Sequence, residues 1–378
     1  MRSHHGQHTQ HSKHAGIGTF RSEAIRFEAV PNARRLVLAA GIALILIVAS
    51  VGYPLLHNQM KQESRAEGTA PAPIVEEVDV ASYSPDVASL SRIPASVEGV
   101  HIFSLKPDEP ESSLRLSQPE QLIMTAALAP YISTDESIGF ALVDLDTGHG
   151  IAYNVDEYIF GASSFKGPYA TYICEQLLDG GIIERDSPCA NVGSIDPLGT
   201  PRTSSFYSVD SLMEDMVISS DNNAFRFLRS AYDGEGFTDW LTSLGVDATI
   251  ADDTTFPRYC VRDSLRLWME TYRYLETGSE NAEWLKGLFS STELSFIRNA
   301  LDEQTGIVTI YDKGGWNADS SSSGRFDSVS DAGIIEDDDR HYLLCALSST
   351  PDSPQHEQQL QNLIATLYSL RGSLAETS

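Results

Sequence analysis

Cysteine is scarce and basic residues are heavily outnumbered. The chain has four cysteines in 378 residues, and none are spaced Cys-x-x-Cys. This excludes a disulfide-framework miniprotein, a zinc ribbon and a thioredoxin-type redox pair. Lys and Arg number 26 against 53 Asp and Glu, for a formal net charge of -27. So acidic a chain repels phosphate backbones, which excludes nucleic-acid binding as its main task. No internal repeat is visible. Hydrophobic residues at 41% and aromatics at 9% supply a sizeable core and exclude global disorder. The length suits one large domain or two ordinary ones.

The charge is unevenly spread. Residues 1–35 hold six basic residues (Arg2, Lys13, Arg21, Arg26, Arg34, Arg35) against two acids, Glu23 and Glu28, so everything beyond is strongly acidic. Between the two regions, Leu36–Leu56 contains no charged residue over 21 positions. As a helix it spans roughly 30 Å, about one bilayer hydrocarbon core. Arg34 and Arg35 at its start follow the positive-inside rule. The expected layout is a disordered, histidine-containing cytoplasmic tail at 1–35 and an uncleaved transmembrane signal anchor at 36–56. A Pro/Ser/Glu/Ala-rich extracytoplasmic stalk follows at 57–115, within which Val100–Leu105 is a candidate docked strand. The protein is thus expected in the cell membrane as a single-pass chain with its main domain outside.

The main domain is expected over 116–372, with a short tail at 373–378. Apolar spacing predicts a helix over Pro119–Ile132, with Leu122, Ile123, Ala126, Leu128 and Ala129 on its inner face. Strands follow at Ser137–Asp144 and Gly150–Asn154, joined by a turn at Asp146–Gly148. Helical stretches are expected at Ser164–Leu178, Ser208–Tyr232, Glu235–Leu244 and Val261–Leu275. Strands Ile307–Asp312, Asp331–Glu336 and His341–Ser348 come next, then a helix over His356–Leu370. This order reads as an α/β (α+β) sandwich: an antiparallel sheet, completed by the first and last segments, packed with helices plus a helical subdomain.

Three short motifs carry chemistry. Ser163 and Lys166 stand three apart at a helix start, on one face. Positive potential and free N–H groups at a helix N-terminus suit a nucleophile whose attack creates an oxyanion, and an amine of lowered pKa can take the hydroxyl proton. Ser220-Asp221-Asn222 interrupts an amphipathic pattern just before a helix. Lys313-Gly314-Gly315-Trp316 follows a strand. Singly, each has a plain structural explanation: a solvated helix start, an N-cap and a surface turn.

Together and in this order they resemble the signature of class A β-lactamases and penicillin-binding proteins. Ile138–Gly148, Tyr153–Glu157 and Asp331–Ile335 resemble the flanking segments, so the likeness covers about 117–372. It implies the β-lactamase/transpeptidase-like fold and an extracytoplasmic serine hydrolase or acyltransferase needing no metal or organic cofactor. It further implies that Ser163 is acylated, Lys166 is the base and Ser220 relays a proton to the leaving amine. Asn222 would bind the substrate amide, and Lys313 would act electrostatically and attract a substrate carboxylate. Gly315 and Trp316 would lie against the substrate, and the N–H groups of Ser163 and Trp316 would form the oxyanion hole. The implied partners are peptidoglycan stem peptides ending in D-amino acids, or β-lactams.

Two features depart from the family. Gly314 stands where a hydroxyl residue is usual, and losing that charge-assisted bond costs roughly 1.5–3 kcal/mol. Ser320–Ser323 and Arg325, in the connection before Asp331, are the local candidates to compensate. The loop 246–261 has no Glu to activate a deacylating water; its only acids are Asp247, Asp252 and Asp253. Acylation is therefore expected to outlast deacylation. The alternatives are a class A-like β-lactamase with another water activator, and a non-catalytic muropeptide-binding protein. Cys174 and Cys345 are expected in the core. Cys189 and Cys260 are expected in loops, with no pairing assigned.

Overall fold

Six strands form one antiparallel sheet in the order β1-β3-β2-β10-β9-β8. They are β1 (His101–Ser104), β2 (Ile138–Asp144), β3 (His149–Tyr153), β8 (Val308–Asn317), β9 (Ser328–Asp337) and β10 (Arg340–Ser348). Two small ribbons lie outside it, β4 (Ile159–Phe160) with β7 (Arg258–Tyr259), and β5 (Pro188–Ala190) with β6 (Phe206–Ser208). The helices are α1 (Gln118–Ile132), α2 (Lys166–Tyr172), α3 (Val209–Val217), α4 (Asn222–Tyr232), α5 (Gly234–Ser243), α6 (Thr249–Asp252), α7 (Val261–Leu275), α8 (Glu280–Ser290), α9 (Phe296–Leu301) and α10 (Pro354–Ser369). This computed structural model describes residues 83–375 apart from 96–98, 110–114, 135, 195, 253–255, 302–307 and 322. Among the described residues no helix is long and apolar enough to cross a membrane; the tail at 1–35 and the anchor at Leu36–Leu56 lie outside them.

Every residue of β2 is buried because both faces of the sheet are covered. Phe140 and Leu142 face one apolar layer with Met124, Leu128, Phe296, Leu363 and Ile364 of α1, α9 and α10. Ala141 and Val143 face a larger layer with Phe165, Tyr169, Phe225, Leu265 and Trp268, where the helical subdomain meets the sheet. Each large side chain so buried contributes roughly 1.5–3 kcal/mol.

Several expectations need correction. The candidate docked strand at Val100–Leu105 is present as β1, paired with β3, but the rest of the described stalk is not a free linker, since Leu90 and Ile93 are buried along with Phe103 and Leu105. The edge of β3 would otherwise expose unpaired backbone groups. The tail also joins the core, since Leu374 is buried and its carbonyl lies 2.9 Å from His149 Nδ1. In α1 the inward stripe is Met124, Leu128 and Tyr131, while Leu122 is 71% exposed. Residues 164–178 are not one α-helix. A 3-10 turn at Ala162–Phe165 leads into α2, which ends in a π-helical segment at Ile173–Leu178. The Ser208–Tyr232 stretch breaks into α3 and α4, and α8 and α9 were not anticipated. All four cysteines are buried free thiols, with Cys189 in β5 and Cys260 capping α7.

Candidate active site

The nucleophile candidate stands on a strained turn. Ala162, just before Ser163, has φ +47°, a conformation that costs a non-glycine residue about 1–3 kcal/mol. The turn places Ser163 within reach of solvent at 9% exposure, while its neighbour Ser164 is fully buried. Ser164 Oγ lies 2.6 Å from the Gly161 carbonyl and 2.6 Å from Tyr259 Oη, so its role is to hold the turn.

Lys166 opens α2 with its side chain fully buried. Its amine donates to the Ser220 carbonyl at 2.5 Å and to Asn222 Oδ1 at 2.6 Å. Ser220 Oγ lies 3.2 Å away. Aromatic faces complete the surroundings, with the Phe256 ring centre 5.2 Å and the Phe225 ring centre 5.8 Å from Nζ. Burial, and then the charge of Lys313, push this amine well below the usual lysine range, with Asp221 and Asp196 opposing. A neutral Lys166 can donate to the carbonyl and to Asn222 while accepting from Ser220 Oγ.

The Ser220 turn is built by its neighbours. Ser220 has φ +57°, a second strained non-glycine residue. Asp221 caps α4, accepting from Ala224 N at 2.6 Å and Thr200 N at 2.5 Å, with Arg202 at 3.4 Å. Burial opposes its ionisation, but these hydrogen bonds hold the carboxyl below the usual range. Asn222 Nδ2 donates to Asp196 Oδ2 at 3.1 Å, so both ends of its amide are engaged.

The third motif lies inside an edge strand, not after one. β8 continues through Lys313–Trp316, pairing Gly314 with Asp331 and Gly315 with Ser330. Close approach explains Gly315: a Cβ there would lie 2.5 Å from Ser164 N, 2.6 Å from Gly161 O and 2.7 Å from Ser163 N. The strand thus lies directly against the nucleophile turn. Trp316, 37% exposed, stands at the rim. Lys313 is fully buried and donates to the Gly314 carbonyl at 3.0 Å. Burial pushes its amine down to about 8, with Asp331 and Asp312 opposing.

Sequence reasoning missed the two buried acids beneath this strand. Asp331 accepts the N–H groups of Phe296 and Ile297 at the start of α9, at 2.7 and 3.0 Å. Asp312 accepts from Ser295 Oγ and has Arg298 at 3.5 Å. Burial raises both carboxyls, and the charge of Asp312 raises Asp331 further. Their spacing in sequence gives no signal, because β8 and β9 bring them together only by pairing.

Among its described residues, the loop 246–261 presents Phe256 to Lys166, and no acid. Asp247 Oδ1 accepts from Thr249 N and Oγ1, both at 2.9 Å. Asp253 lies outside the described residues.

The model of the beta-lactamase enzyme family matches residues 124–369, well over half of the chain. This chain belongs to that family. The fold agrees with solved relatives. PBP-A superposes with a TM-score of 0.53 at 16% identity, covering 68% of this chain and 99% of that one. A PBP-A variant, in acyl-enzyme complex with penicillin G, gives 0.54 at 17% identity, covering 71% and 99%. A beta-lactamase from Chitinophaga pinensis gives 0.55 at 17% identity, covering 68% and 100%. Among curated proteins none matches the chain.

Proposed function

We propose that this family member is a membrane-anchored, extracytoplasmic serine hydrolase or acyltransferase. Its acyl donors are peptidoglycan-type peptides ending in D-amino acids, or β-lactams, and Ser163 carries the acyl group. The observation that carries the reading is Lys166: a fully buried amine of depressed pKa, bonded to Ser220 and Asn222, one helical turn from Ser163.

Neutral Lys166 takes the Ser163 Oγ proton as Oγ bonds to the carbonyl carbon. The carbonyl π electrons move to oxygen, which the N–H groups of Ser163 and Trp316 stabilise. Collapse breaks the bond to the leaving amine, which receives a proton from Ser220 Oγ, itself resupplied from Lys166. Lys313 favours the negative charge through this sequence while it stays protonated. Asn222 binds the donor's amide once its bond to Asp196 yields. Water or an acceptor amine then attacks the ester and frees Ser163.

The test is intact mass of the full-length protein in detergent, incubated with a fluorescent penicillin. A mass increase of one penicillin on Ser163 supports the reading; no adduct with any β-lactam or D-amino-acid peptide overturns it and favours a binding protein. Topology has its own test. Protease added to spheroplasts removes the catalytic domain if residues beyond 56 are outside, and protection of that domain reverses the orientation.

A further inference from the structure

The acyl side of the cleft carries a charge of its own, held in place by α4. Asp196 is tied to that helix through its backbone. Its N–H donates to Asn223 Oδ1 at 3.2 Å, and Asn223 Nδ2 donates back to the Asp196 carbonyl at 3.2 Å. Asn223 is 1% exposed, and a Cβ on Gly199 would lie 2.5 Å from its Nδ2, so loop and helix pack tightly. This docking aims the half-buried Asp196 carboxylate. Its Oδ1 accepts from Leu198 N at 2.8 Å, and its Oδ2 accepts from Asn222 Nδ2 at 3.1 Å. The oxygen of that same Asn222 amide accepts from Lys166 Nζ at 2.6 Å. Asp196 therefore sits on the nitrogen that serves the donor's acyl amide, one side chain away from the base.

When the donor's carbonyl takes Asn222 Nδ2, Asp196 Oδ2 gives up its partner. Leu198 N and the two Asn223 bonds still hold the carboxylate there. A half-buried carboxylate oxygen without a donor is costly, so a replacement donor is favoured. The nearby protein cations are committed elsewhere. Arg202, on the same loop, pairs with Asp215 and Asp221 at 2.6 and 3.4 Å. Lys166 is held by Ser220 and Asn222 and is neutral when it acts as the base. Lys313 is buried in β8, bonded to the Gly314 carbonyl, and attracts the donor's carboxylate at the leaving-group end. The fields of these groups meet at Lys166, where burial and Lys313 lower the pKa of the amine and Asp221 and Asp196 oppose them. The cleft is thus polarised along the donor, positive toward the leaving group and negative toward the acyl side chain. An ammonium on the carbon next to the acyl-amide carbonyl would lie beside that carbonyl oxygen, and so beside Asp196 Oδ2.

We propose that the site selects acyl donors bearing an ammonium group beside the acyl amide, and that Asp196 sets this preference by exchanging Asn222 Nδ2 for the donor's N–H. The inference rests on the acyl-enzyme reading above and narrows its substrate class to donors that are cationic on the acyl side. Opposite charges about 4 Å apart attract enough, even at the dielectric constant of water, to change a rate about fivefold.

Ampicillin is penicillin G with an amine on that carbon. Adduct formation on the full-length protein in detergent is followed by intact mass, for the wild type and Asp196→Asn, at about pH 6.5, where an α-amino group is mostly protonated. Because the two compounds differ in intrinsic reactivity, the readout is the ampicillin-to-penicillin G rate ratio. The ratio is expected to fall about fivefold in Asp196→Asn through slower acylation by ampicillin, and to fall in the wild type as salt is raised. An unchanged ratio in the variant overturns the role of Asp196 and leaves the acyl-enzyme reading standing. Where the variant labels with neither compound, the wild-type salt series decides, and a ratio independent of salt overturns that role. Adducts from neither compound on the wild type overturn the acyl-enzyme reading, and this inference with it.

Discussion

The amine of Lys166 looks onto the face of Phe256, whose ring centre is 5.2 Å away. This aromatic ring is what the described part of the loop after α6 brings to the base. Phe256 is fixed there by stacking on Phe225 at 5.3 Å and by an edge contact with Phe160 at 6.4 Å. Among the described residues of that loop, none brings a carboxylate to a water beside Lys166. Losing an effective general base costs about 10²- to 10⁴-fold. The penicillin adduct is expected to persist for minutes or longer. Rapid multiple turnover with no adduct seen by mass would falsify this and establish a β-lactamase. Phe256→Glu should shorten adduct lifetime tenfold or more, while lowering the melting temperature through lost aromatic packing.

The two adjacent serines should separate cleanly. Ser163→Ala is expected to abolish covalent labelling with melting temperature nearly unchanged, since Oγ reaches the cleft. Ser164→Ala should keep the label on Ser163 yet destabilise by about 1–3 kcal/mol, because Tyr259 Oη loses a buried partner. Thermal melts beside mass spectrometry check both; labelling that survives Ser163→Ala sinks the assignment.

Acylation should be bell-shaped in pH. Lys166 acts as a base only when neutral, so the rate rises as pH climbs through its depressed pKa. Lys313 assists only when protonated, so the rate falls as it loses its proton near its pKa of about 8. A neutral ester probe keeps substrate titration out of the profile. Lys313→Met should lower the maximum and remove the alkaline limb. An alkaline limb unchanged in that variant assigns it to another group.

Gly315→Ala should cost more than a surface methyl. Its Cβ would sit 2.5–2.7 Å from backbone atoms of Gly161, Ser163 and Ser164, so β8 or the nucleophile turn must shift. Misplacement of about 1 Å can cost 10²-fold in rate. Adduct formation is the measurement, and a rate within threefold of wild type would show that the strand moves freely.

The sequence by itself determined the antiparallel sheet with flanking helices, and the identity of the three motifs. These were legible because they are local: Ser163 and Lys166 share a turn, Asp221 caps the helix it precedes, and the unbroken apolar run Ile138–Val143 of β2 is that of a strand covered on both faces. Tertiary structure alone decided what surrounds them. Lys166 meets Ser220 and Asn222 across 54 and 56 positions, and burial, then the charge of Lys313, lowers its pKa. Phe256 reaches Lys166 because the β4–β7 ribbon ends beside it, which no spacing encodes. Asp312 and Asp331 meet through strand pairing, and β1 extends the sheet from a segment whose composition resembles a linker. Periodicity reports which face of an element is apolar. It does not report which distant element covers that face, and the chemistry of this site depends on that cover.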